Sequence, residues 1–363
     1  MGIPALSDPR RHCAALDGIR GIAALSVLLF HLGRWLDAPH MAVNGGLSVD
    51  TFFTLSGYVL ARAYALRLRN MSVAEFMAIR LIRLIPIIVL SILISAPYVI
   101  ARNYLLSTET QIAAIVLAIL LGMMNIPFFN APPQIGGPQI FPLNGPQFSL
   151  FFEIVANYVW WQLRHIDQTY LSLGLYVLCS AAVILVGIGG DTTDNFLLGF
   201  AHVGSSFFVG VLIHQFSGAF VSSRANTYIF VALCVLMIAI LFSSFELTLR
   251  ERLVWKLALA PMLVFSGSAI PMKGLPMRIS LMLGELSYPV YALHYPIFCW
   301  INGIYQKTTG SKSIVLECVT LFAVTIAASY VFLRYYDQPA RRYLLDIFAS
   351  LKASRSSRAE YSR

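Results

Sequence analysis

The chain has 363 residues, of which 58% are hydrophobic and only 12% charged, with a formal net charge of +9 and a mean hydropathy of +0.73. Soluble domains carry about 25% charged residues. Half that value, spread along the whole length, describes a polytopic membrane protein and excludes a large soluble domain, because no polar stretch is long enough to form one.

The basic balance fits Lys and Arg gathered in cytoplasmic loops, so no nucleic-acid partner is expected. The five cysteines, Cys13, Cys179, Cys234, Cys299 and Cys318, show no metal-ligand spacing. Neither a structural disulfide nor a metal site is expected from them. Gly21 to Phe30 is an apolar run after a basic start, but His31 and Arg34 follow in place of a small-residue cleavage site. An uncleaved first span is the reading.

A span needs about 20 apolar residues. Eleven segments qualify, at 18–36, 43–66, 81–101, 111–129, 145–163, 170–188, 195–215, 226–245, 253–271, 280–303 and 314–336. Basic residues cluster at Arg10, Arg11 and Arg20, between Arg62 and Arg83, and from Arg341 to Arg358. All three clusters are expected on the cytoplasmic side. Two cytoplasmic termini require an even number of crossings. The expected fold is therefore all-α, a transmembrane bundle of about ten crossings with one re-entrant or broken element. It forms one integral-membrane domain over 1–363 with a basic tail from about 346. The stretch from Phe128 to Pro146, with five prolines and three glycines, marks the broken element within 111–163. Such backbone is tolerated only against protein or a water-filled cavity, which points to an intramembrane cavity there.

In the first segment Arg20 and His31 stand eleven residues apart. At about 100° and 1.5 Å per helical residue they share one face and lie about 16 Å apart in height. An ionisable group inside a span is a functional candidate by default. The second segment reads Gly45-Gly46-Leu47-Ser48-Val49-Asp50-Thr51-Phe52-Phe53-Thr54-Leu55-Ser56-Gly57. Asp50 either caps this helix or orients His31 as a proton acceptor. Arg80 and Arg83 open the third segment; they either anchor its end or form a fork for phosphates. In the fifth, Ser149 and Glu153 share a face, and Glu153 is either a catalytic carboxylate or an arginine's partner. In the tenth, Ser287, Tyr291 and His294 fall on one polar stripe. His294 either lines an acceptor path or is buried and bonded to Tyr291. His202 and His214, twelve apart, have no evident partner and read as structural.

Arg-x10-His followed by GGLSVDTFFTLSGY resembles the membrane acyltransferase 3 family, bacterial enzymes that O-acylate sugars and related acceptors. Arg80-x-x-Arg83, Phe148-Ser149-Leu150-x-x-Glu153 and Ser287-Tyr288-x-x-Tyr291-x-x-His294-x-Pro296 extend the resemblance over nearly the whole chain. There are departures: Phe148 stands for a tryptophan, Ala292-Leu293 for a Leu-x pair, and Asp337 for a glutamate in the closing Glu-x-Pro. The resemblance implies acyl transfer, with acetyl-CoA or another acyl-CoA as donor held by Arg20, Arg80 and Arg83. His31 is then catalytic, as base or as acyl carrier, with Asp50 and Glu153 beside it. Ser149, Ser287, Tyr291 and His294 bind the acceptor, a hydroxyl of a cell-envelope glycan or lipid-linked sugar, and no metal takes part. It further implies the bacterial inner membrane, with lipid around the chain. Some relatives carry a C-terminal soluble domain that is not seen here, so the chain is expected to act alone or with a further membrane partner. The rival reading is a transporter, since buried Arg, His, Asp and Glu also suit proton relays; against it, no internal repeat with paired broken helices is found.

Overall fold

The computed structural model describes residues 13–106, 111–217, 223–309 and 313–361. Among these residues the secondary structure is helical, with one isolated bridge between Gln139 and Thr192. Thirteen α-helices run in order: α1 Ala14–Trp35, α2 Ser48–Tyr64, α3 Val73–Leu105, α4 Ile112–Met123, α5 Phe148–Gln162, α6 Gln168–Val186, α7 Leu198–Ser217, α8 Arg224–Leu241, α9 Leu249–Val254, α10 Ala260–Ser268, α11 Gly274–Thr309, α12 Ile314–Phe332 and α13 Gln338–Tyr361. Each of the eleven apolar segments contains helix. Six runs are long and apolar enough to cross a membrane: α1, α3, α6, α7, α8 and the stretch Ile314–Lys352 that joins α12 to α13. The molecule is an all-α helical membrane bundle.

Close helix approach organises it. A Cβ on Gly21 would lie 2.3 Å from Leu283 Cβ, and one on Gly284 would lie 2.6 Å from Asp17 Cβ. These absences let α1 lie along α11. The two helices run parallel, because Gly18 meets Ser280 and His31 meets His294. Likewise Gly57 of α2 and Gly210 of α7 bring backbones together: Cβ atoms there would lie 2.0 Å from Phe207 O and 2.1 Å from Thr54 O. Membrane helices have little hydrophobic drive between them, so small residues at such crossings make the packing.

The broken element is visible. Helix α4 has 12 residues, about 18 Å at 1.5 Å per residue, against a hydrocarbon core of about 30 Å. After it the chain runs through two 3₁₀ turns, Pro133–Ile135 and Gly145–Gln147. Among the described residues no open cavity is seen at this segment. Ile135, Ile140 and Leu143 are buried, and the space between α4 and this segment, lined by Ile92, Ala118, Gly122 and Phe128, leaves no room for a water. Protein rather than water covers the irregular backbone, the other solution that physics allows. Gln147 Nε2 donates to Gly122 O at 2.7 Å, and Ile140 N donates to Asp191 O at 3.0 Å.

Asn144 does more. Pro296 lacks the N–H that would bond the carbonyl four residues back, and Asn144 Nδ2 donates to that carbonyl, Ala292 O, at 3.0 Å. The broken segment thereby repairs α11 beside His294.

Candidate active site

The charged residues separate into three groups. The first lies where α1, α3, α5 and α13 meet. Asp17 pairs with Arg20 one helical turn away on α1. Arg80 of α3 donates to Glu153 Oε1 of α5 at 3.1 Å, and Ser56 of α2 donates to the same oxygen at 2.6 Å. Asn157, with its amide turned to suit its neighbours, accepts from Arg80 Nε at 3.1 Å. Arg341 of α13 pairs with Asp337 at 2.5 Å and lies over the Tyr288 ring at 5.7 Å. Tyr288 in turn donates to Leu84 O at 2.5 Å.

Arg83 completes the group. Its charge reaches Arg20, Arg80 and Arg341. Three carboxylates thus answer three arginines, and Arg83 has no ion pair among the described residues. Glu153 is an arginine's partner here. Arg20 and Arg80, expected to share in holding an anion, already have carboxylates, which leaves Arg83, whose charge reaches Asp337 only at longer range, as the arginine free to take an anion.

The second group lies toward the other end of α1, about three turns above Arg20. His31 stacks on Trp35 with ring centres 5.0 Å apart and meets Phe30 edge-on at 5.1 Å. His294 faces it across α1 and α11 at 5.0 Å, and Trp35 also packs on Phe298 at 4.3 Å. His31 is half-buried, whereas His294 is 0% exposed. Its Nδ1 donates to Tyr291 O at 2.6 Å. Tyr291 Oη and Ser149 Oγ bond at 2.7 Å, and both reach Pro146 O. Tyr291, Ser149 and His294 therefore form one buried polar patch. Ser287 stays outside it, since its hydroxyl donates to Gly284 O within α11 at 2.7 Å.

Asp50 belongs to neither group, which corrects the sequence-based expectation. It is the third residue of α2, whose N-cap position is Leu47, so it is not the cap. Nor does it hold His31: no bond joins them among the described residues. Asp50 instead accepts from Lys256 Nζ at 2.5 Å, from His202 Nε2 at 3.0 Å and from Ser206 at 3.4 Å. Lys256 is 1% exposed and also donates to His202 O and Ser206 Oγ, both at 2.8 Å. A buried cation and anion survive in apolar surroundings only with such complete bonding. His202, expected to be unpartnered, is part of this network.

Sequence reading missed Lys256, although a lysine inside the apolar stretch 253–271 was signal enough. It missed Ser56 because a serine in a span is common. A local π-helical turn, Trp255–Leu259, carries Lys256, and a second, Leu333–Asp337, carries Asp337. The widened turn re-aims a side chain within a helix, and such turns favour functional positions. Among the described residues no three His, Cys, Asp or Glu side chains gather as a metal site.

The fold and these groups define a polytopic helical membrane protein with a half-buried arginine–carboxylate cluster on one side and an imidazole pair toward the other. Residues 14–334 match the family model described as an acyltransferase domain, and the chain belongs to the acyltransferase 3 family. It is 33% identical over 190 residues to protein 2 in the picA locus of Rhizobium radiobacter, covering 49% of this chain and 96% of that protein. It is 23% identical over 371 residues to the O-acetyltransferase OatA of Staphylococcus aureus, covering 95% of this chain and 60% of OatA. The chain thus spans less than two thirds of OatA. No solved structure matches.

Proposed function

We propose that the protein is a membrane O-acyltransferase that moves an acyl group, acetyl in the first instance, from acyl-CoA to a hydroxyl of a cell-envelope glycan or lipid-linked sugar. The observation that carries this reading is Arg83, the cation left without a carboxylate in a cluster of four arginines, below His31 in a chain of an acyltransferase family. Coenzyme A carries several phosphates, and a guanidinium binds phosphate through paired N–H donors. In this reading the phosphates sit at the arginine rim on the cytoplasmic side of the bacterial inner membrane. The pantetheine arm runs inward along the face of α1 that bears Arg20 and His31. The acyl group then meets an acceptor hydroxyl arriving from the opposite side at His31, and coenzyme A does not cross. The relationship to OatA supports O-acetylation as the reaction. Tyr291 and Ser149, hydrogen-bonded together beside His294, serve the acceptor.

Purified protein supplied with labelled acetyl-CoA tests the class: release of CoA and transfer of label to a hydroxyl acceptor are expected. Movement of a solute or lipid-linked sugar with no acyl turnover would establish the transporter reading instead. In cells, the mass of surface glycans with and without the gene should differ by one acyl group.

A further inference from the structure

We infer that His294 is a second catalytic imidazole, the base that takes the acceptor hydroxyl's proton. This rests on the acyltransferase reading above and deepens it. A backbone carbonyl can only accept a hydrogen bond, so the 2.6 Å contact between His294 Nδ1 and Tyr291 O places the proton on Nδ1. In the neutral ring Nε2 is then left as a bare lone pair. That Nε2 is buried and has no hydrogen-bond partner among the described residues. A buried acceptor atom left without a donor costs about 1–3 kcal/mol, so this nitrogen is free to accept from a bound hydroxyl.

The surroundings name the donor. His294 is 0% exposed, yet its ring lies 5.0 Å from that of the half-buried His31. Trp35 stacks against both imidazoles, at 5.0 and 5.8 Å, and the repair of α11 by Asn144 holds the backbone next to the ring. His31 has no comparable lock: neither of its nitrogens has a hydrogen bond among the described residues. Of the two imidazoles, the one with its tautomer fixed and its lone pair presented is His294. An acceptor hydroxyl that reaches Nε2 supplies the missing donor.

The step balances without any further reagent. The hydroxyl oxygen bonds to the acyl carbon as its proton passes to His294 Nε2. The carbon–sulfur bond breaks, and the departing thiolate takes that proton, giving ester and free thiol and restoring the neutral ring. His31, opposite, is left to contact the thioester. The cationic ring formed in passing is held through Nδ1–H by Tyr291 O, the same bond that sets the tautomer.

The test compares His294→Gln with His31→Ala and wild type, using acetyl-CoA and a soluble glycan acceptor. Glutamine keeps an acceptor near the Nε2 position but cannot take a proton. The expected result is a fall in kcat of at least about 10²-fold, the scale of general-base loss, with the KM for acetyl-CoA and its binding unchanged. A kcat within about threefold of wild type, with His31→Ala inactive, overturns the role of His294 while leaving the acyltransferase reading intact. Full activity in both variants overturns that reading itself. If His294→Gln does not fold, histidine nitrogen NMR on the wild-type protein decides: a protonated Nδ1 and a bare Nε2 at His294, with Nε2 shifting on addition of acceptor, support the proposal. A protonated Nε2, or no response to acceptor, refutes it.

Discussion

Removing Arg83 takes away a cation that makes no ion pair among the described residues, though its charge reaches Asp337, so the cost should fall on anion binding more than on folding. Its neighbour Arg80 is the opposite case, since loss of that guanidinium leaves the half-buried Glu153 without its ion-pair partner. Arg83→Ala is therefore expected to raise the KM for acyl-CoA by about 10- to 100-fold, the equivalent of about 1.5–3 kcal/mol for a hydrogen bond to a charged group. Arg83→Lys should recover little, because lysine keeps the charge and loses the fork. Donor titration at matched expression checks both, and unchanged affinity in Arg83→Ala would remove Arg83 from the site. The same reasoning, with the sign reversed, applies to Lys256. Lys256→Met leaves the Asp50 carboxylate buried without its principal partner and should cost about 3–5 kcal/mol. Adding Asp50→Asn should restore most of that loss, since both charges are then gone. Thermal unfolding of the two single variants and the double gives the coupling. Additive losses would show that the 2.5 Å contact carries no energy.

At the scale of the element, two glycine crossings fix how deep the site residues sit. Gly57→Ala would place a methyl group 2.0 Å from Phe207 O, a backbone atom that cannot swing aside. Helix α2 must then move from α7, and Asp50 rides on α2 while Ser206 and His202 ride on α7. The variant should lower thermal stability and weaken the Lys256 network together. Gly46→Ala, with its nearest neighbour at 3.6 Å, should be close to neutral and serves as the control for glycine replacement as such. Equal melting temperatures for the two variants would contradict the crossing. The elements themselves were legible in the sequence because apolar length is a strong signal: each of the eleven segments contains helix, and the proline-rich break lies where composition put it. The face shared by Arg20 and His31 was legible for the same reason, being a matter of helical period. The partner of Asp50 was not. A period relates residues on one helix, whereas Asp50 meets Lys256 from more than two hundred positions away, through a π-turn that an α-helical period places wrongly. Ser56 and Tyr288 stand inside the quoted motifs, but their partners carry no sequence signal, because those are set by the helix that comes to lie opposite.

Across the whole molecule, three contacts place the basic clusters on one side. Arg62 reaches Cys13 at the start of α1. Lys352 of α13 pairs with Glu75 at the start of α3, at 2.8 Å. Arg69, in the connection between α2 and α3, donates to Arg164 O at 3.3 Å. The start of α1, the last turn of α2 with the connection that follows it to Ser72, and the helix α13 therefore share a face, and the arginine cluster lies just beneath it. Arg10, Arg11 and the chain's last residues lie outside the described residues. A chain whose described ends share a face crosses an even number of times, and positive residues favour the cytoplasm. Cysteine introduced at Arg69 or at Lys352, in a background with the five native cysteines replaced, should react with a membrane-impermeant reagent only after the cells are opened. Cysteine at Asp37, in the exposed loop at the far end of α1, should react in intact cells. The pattern matters to the proposed mechanism, in which the donor is acyl-CoA, made in the cytoplasm. Labelling of Arg69→Cys from outside would put the arginines on the side that holds no donor, and the route from Arg83 to His31 would fail with it.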